Sequence, residues 1–169
     1  KSNPDPIRRA ESLIWIGLSA FELGRMQMAE MVWENAYELL KSSPPDLFNE
    51  NLEVLGDLVY VLSLAGETNK ARIIASELEI ITKTEADRAG GITSSARYAQ
   101  VKSWASVYET SKALEYINQF TDSKDQLKAL WEAATAQANC AHQVNDELLA
   151  VANTLIGQFD EDPLRAQYA

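Results

Sequence analysis

The sequence predicts an all-α chain of about eight helices joined by short links, and three observations carry that prediction. The five prolines are Pro4, Pro6, Pro44, Pro45 and Pro163, so none interrupts the stretch from Asp46 to Asp162. Proline removes a backbone donor and breaks helices, and its confinement marks the borders between which helices can run. Apolar residues recur at steps of three and four, while Val, Ile and Thr never alternate as they would in a strand. Alanine is abundant, 23 residues of 169, as expected where helices lie close together.

The first helix spans Ala10 to Leu23. Leu13, Ile16, Gly17 and Ala20 form a stripe that Ile14, Trp15, Leu18 and Phe21 widen, and Gly24 ends it where φ turns positive. A second runs from Met26 to Lys41 with Ala29, Val32, Trp33, Ala36 and Leu40 on one face, and stops at Ser42-Ser43-Pro44-Pro45. Asp46 is the expected N-cap of a third, which carries Val54, Leu55, Leu58, Val59 and Leu62 and ends at Gly66. The fourth opens at Thr68 or Asn69 and runs to about Lys83. Thr84 to Ser94, with Gly90-Gly91, reads as a longer connection. Helices five and six flank Tyr108 to Thr110, a seventh covers about Ser123 to His142, and an eighth about Asn145 to Phe159.

Charge and composition exclude several functions. There are 25 acidic against 15 basic side chains, a formal charge of −10, which argues against a phosphate backbone as partner. One cysteine, Cys140, and one histidine, His142, leave no disulfide within the chain and no Cys/His zinc set. No run of about 18 apolar residues occurs, so membrane insertion is not expected. Lys1 in first place, where Met would begin a complete chain, suggests a piece of a longer protein. No targeting segment assigns a compartment, and the cytoplasm is the default expectation.

The helix pairs repeat. Gly17, Gly24, Ala29, Trp33 and Ala36 stand at successive offsets of seven, five, four and three. The second pair carries Val59, Gly66, Ala71, Ala75 and Leu78 at the same offsets. The third has Val101, Tyr108, Ala113, Ile117 and Phe120, and the fourth Ala138, Asn145, Ala150, Thr154 and Gly157. Ala29, Ala71 and Ala113 are 42 residues apart each time. Two antiparallel helices approach closely only where small side chains face each other, and a large ring fills the gap beside them.

This arrangement resembles the tetratricopeptide repeat. In that family a small residue in the first helix, a turn glycine and an Ala-aromatic-Ala set on the second helix recur, with a nominal period near 34 residues. Tyr108 departs from the turn glycine. Asn145 departs less, since Asn tolerates the left-handed conformation. The resemblance covers Ala10 to Phe159, in pairs at about 10–43, 46–83, 94–121 and 123–159 within a single domain spanning 1–169. It implies a right-handed superhelix of stacked pairs whose inner face, lined by each pair's first helix, binds a peptide or protein.

Projecting the repeat onto this chain places Glu11, Trp15, Leu18 and Glu22 on that face from the first pair. Glu53, Asp57 and Tyr60 come from the second, Tyr98 and Lys102 from the third, and Glu132, Asn139 and His142 from the fourth. The carboxylate clamp of the chaperone-binding members is missing, because its positions here hold Ile14, Leu18, Gly56 and Tyr60. The face reads as apolar, then acidic, then mixed. It suits a protein or peptide that is basic or of mixed charge and carries an apolar anchor.

Other features favour plain readings. Trp33, Trp104 and Trp131 belong to helix packing, while Trp15 divides between ligand anchor and orphaned packing residue. Of Met26, Met28 and Met31, one or two are expected to fill gaps between helices and the rest to be incidental, rather than to form a soft binding surface. Cys140 and His142, two apart on a helix, face different ways and make no nucleophile pair. No carboxylate pair is singled out for catalysis, and Gly90-Gly91 lacks the Lys-Ser/Thr of a phosphate loop. The run Asp160-Glu161-Asp162-Pro163 reads as an array end or linker, not a metal loop. No cofactor is implied. A non-enzymatic interaction module leads. A sensory or oligomerisation region that self-associates through apolar array ends is the alternative.

Overall fold

A computed structural model describes residues 5–43 and 48–160, apart from the side chains of 48–50 and 158–160. Pro4, Pro44, Pro45, Asp46 and the run from Glu161 to Pro163 lie outside the described residues. Among the described residues there are eight helices and no strand: α1 (Pro6–Glu22), α2 (Met26–Lys41), α3 (Phe48–Leu64), α4 (Thr68–Ala89), α5 (Ser94–Ser106), α6 (Thr110–Ile117), α7 (Ser123–Ala141) and α8 (Asp146–Asp160).

Local chemistry sets the ends. α1 begins at Pro6, before Ala10, because the Ile7 N–H donates to Asp5 Oδ1 at 2.9 Å and Pro6 takes the first helical position. The expected connection from Thr84 to Ser94 is mostly helix. α4 continues to Ala89, with Thr84 bonding back to the Ile80 carbonyl and Arg88 paired with Glu85, and stops only at Gly90, φ 78°.

Gly24 and Gly66 turn in the left-handed region, as expected, and Tyr108 does the same at φ 62°. In the fourth pair the left-handed residue is His142, φ 57°, and not Asn145. Asn145 caps α8 instead, accepting the Glu147 N–H at 2.8 Å. A side chain at positive φ costs about 1 kcal/mol that glycine avoids. His142→Gly, at an exposed position, is therefore expected to raise stability by about that amount in denaturant unfolding.

The fourth repeat sits two residues out of the expected register. Ala138, Ala150, Thr154 and Gly157 are exposed, whereas Ala136 and Leu148 are buried, and Ala152 and Leu155 pack against the core. In the first three pairs the anchors Ala29, Ala36, Ala71, Ala75, Ala113 and Ile117 are all 0% exposed. Gly17 has the tightest role: a Cβ there would lie 2.3 Å from Trp33 Nε1. The indole occupies that space and donates to the Ile14 carbonyl at 3.0 Å.

Each pair packs on itself, and the first helices pack in a row, α1 on α3, α3 on α5 and α5 on α7. Each second helix also touches the following first helix. α3 reaches α7 directly as well, so the row bends. Two buried glutamines repeat one device. Gln100 of α5 donates to Thr82 of α4, and Gln137 of α7 to Thr110 of α6, both at 2.8 Å.

Candidate functional site

α3, α5 and α7 pack side by side, and their bent row opens a cleft. Its volume is about 250 Å³, and its walls are Glu53 and Asp57 of α3, Tyr98, Ala99 and Lys102 of α5, and Lys128 and Glu132 of α7. Five of the residues projected onto the inner face thus converge: Glu53, Asp57, Tyr98, Lys102 and Glu132.

The cleft closes at one end. Asn139 Nδ2 donates to the Tyr60 hydroxyl at 2.8 Å, and the Cys140 thiol points to the Tyr60 carbonyl at 3.9 Å. Lys102 lies beneath this clasp, 2.5 Å from Asp57 Oδ1 and 4.9 Å from the centre of the Tyr60 ring. Asp57 is therefore matched within the protein, and the middle of the face is not simply acidic. At the open end the Tyr98 hydroxyl donates to Asp125 Oδ1 at 3.2 Å, and Lys128 lies 4.6 Å over the Tyr98 ring. Burial, then the Asp125 carboxylate, pushes the Tyr98 phenol up to about 12. Ser95 donates to Glu53 Oε1 at 2.5 Å.

Lys128, Asp125 and Ser95 escaped the projection. Lys128 lies one turn before Glu132, so that spacing was the signal available. The remaining projected residues stand elsewhere. Trp15, 41% exposed, Leu18 and Glu22 lie on α1 and do not line the cleft. His142 is exposed at the C-cap of α7, beyond the clasp.

Two packing expectations fail. Trp104 is buried, but Trp131 is 73% exposed on the surface of α7. Met26, Met28 and Met31 are all exposed and fill no gap, since they lie on the outward side of α2.

Burial pushes the Cys140 thiol up to about 11, against smaller opposing effects of Ser106 and Lys102. Iodoacetamide at pH 8 is expected to modify it about a hundredfold more slowly than in the unfolded chain. The stability linked to this thiol is complete below about pH 9 and falls as pH rises towards 11, because the unfolded chain loses its proton first. A rate profile that plateaus near pH 9 in the folded protein would contradict this.

No family model, curated protein or solved structure matches the chain. Among the described residues, no helix is long and apolar enough to cross a membrane. Nor is any group of three or more His, Cys, Asp or Glu gathered to hold a metal ion.

Proposed function

We propose that this chain is a tetratricopeptide-like, non-enzymatic interaction module that holds a peptide or protein segment in the cleft of α3, α5 and α7. The observation that carries the reading is the convergence of Glu53, Tyr98, Lys128 and Glu132, from three successive first helices, at the cleft's open end. Glu53 and Glu132 form no ion pair among the described residues, so they are available to a cationic partner. Tyr98 offers an aromatic wall to an apolar anchor. The thiol of Cys140, held protonated and directed at Tyr60, gives no support to a nucleophilic role.

The test is affinity selection of peptides on the full chain, followed by titration against Glu53→Lys and Glu132→Lys. Both changes are expected to weaken a cationic ligand about tenfold or more, to leave the melting temperature unchanged, and to reduce the salt dependence. Unaltered binding by both variants would remove the cleft assignment.

A second reading rests on the uncovered apolar side chains at the two ends of the row. Trp15, Ile16 and Met31 lie at one end and Trp131 at the other. They suit head-to-tail self-association. Light scattering would then show mass rising with concentration and falling again for Trp131→Ser. A constant monomer mass excludes it.

A further inference from the structure

The outer helices carry a second opening, separate from the cleft. α2 and α4 are not packed along their lengths, and the gap between them is a groove of about 270 Å³. Leu58 and Leu62 of α3, the Trp33 ring and Ile74 make its floor, all of them buried, while Ile73 stands at the lip, 60% exposed. The Tyr37 hydroxyl donates across it to the Glu77 carboxylate.

The next gap along, between α4 and α6, has the opposite character. There Arg72 meets Glu109 at 3.2 Å and Lys112 meets Glu79 at 3.0 Å, and Lys112 covers the Trp104 ring at 3.7 Å from its centre. Two ion pairs close that gap, whereas the first keeps an opening over an apolar floor beside its Tyr37–Glu77 bond.

The rim charges of the open groove select its occupant. Glu30 and Glu34 line the α2 side with no cation in ion-pair range among the described residues. The two rim lysines are engaged: Lys70 with Glu67 at 3.6 Å, and Lys41 over the Tyr37 ring at 5.0 Å. We propose that the α2–α4 groove binds a peptide segment that places one large apolar side chain on this floor and an arginine or lysine, three or four residues away, against Glu34 and Glu30. A second copy of the chain is disfavoured as occupant, since it would bring a charge of −10 to a carboxylate rim.

This site and the α3–α5–α7 cleft can each fail alone, and one experiment separates them. Twelve-residue peptides are selected from a random display library on the full chain, and the enriched sequences are titrated by fluorescence anisotropy. Binders are expected to pair Leu, Phe or Met with Arg or Lys at that spacing. Ile73→Asp and Glu34→Lys, both at exposed positions, are expected to weaken them about tenfold or more while Glu132→Lys leaves them unchanged. The proposal is overturned if no selected peptide depends on Ile73, or if the binders are acidic. It is equally overturned if light scattering shows that Ile73→Asp converts an oligomer to a monomer, since the occupant would then be a second copy.

Discussion

Trp33→Ala is expected to lower the unfolding free energy by about 3–5 kcal/mol, the range for emptying a large buried aromatic site. The indole is 2% exposed, leans on Phe21 with ring centres 6.3 Å apart, and gives its N–H to the Ile14 carbonyl. Its space exists because residue 17 has no side chain. Gly17→Ala would ordinarily stabilise a helix by about 0.5–1 kcal/mol. Here the new methyl group would meet three indole atoms at 2.3 to 2.8 Å, so a loss of about 1–3 kcal/mol is expected instead. The sign should reverse in a Trp33→Leu background, where the ring no longer stands in the way. A double-mutant cycle by urea unfolding reads this coupling directly. Additive effects would show that Gly17 and Trp33 do not form one contact.

Gln137→Leu should cost about 2–3 kcal/mol, because it leaves a buried partner, Thr110, and a half-buried one, the Asn145 N–H, without a bond. Gln137 is 0% exposed. Its Nε2 donates to Thr110 Oγ1 at 2.8 Å, and its Oε1 accepts the Asn145 N–H at 2.9 Å, which ties α7 to α6 and to the start of α8. Gln100→Leu is a sharper comparison than any surface control. Gln100 makes the matching bond to Thr82, but its own Oε1 has no partner among the described residues, so the leucine removes an unsatisfied acceptor along with one donor. The loss at Gln137 should exceed that at Gln100, and Thr110→Val added to Gln137→Leu should recover part of it. Equal losses at both glutamines would mean that the Asn145 contact contributes nothing.

Helix order was legible in the sequence because breakers and small residues are local signals. Gly24 and Gly66 end their helices as read, and the anchors of the first three pairs are buried as their 42-residue spacing requires. Two stretches misled for physical reasons. Thr84–Ala89 lacks apolar periodicity, yet stays helical through side-chain bonds to its own turn. α7 holds so many alanines that several phases satisfy a small-residue pattern. The longer link after His142 decides among them, and a residue pattern does not encode it.

The convergence of Glu53, Asp57, Tyr98, Lys102 and Glu132 followed from helical register alone. What register could not supply was how the charges pair between helices. Asp57 is matched by Lys102 from 45 residues away, and Lys128 enters the same face.

The clasp between Tyr60 and Asn139 has a consequence for how the molecule comes apart. In a strictly linear stack each unit touches only its neighbours, and the ends can fray while the middle persists. This bond joins residues 79 positions apart and links the second helix pair to the fourth, skipping the third. Loss of α7 therefore also strips a partner from α3, so amides in these two helices should exchange with solvent through a shared opening. Such long-range closure raises the mean sequence separation of contacts, which slows folding relative to an open stack of the same helices and makes the final step more all-or-none.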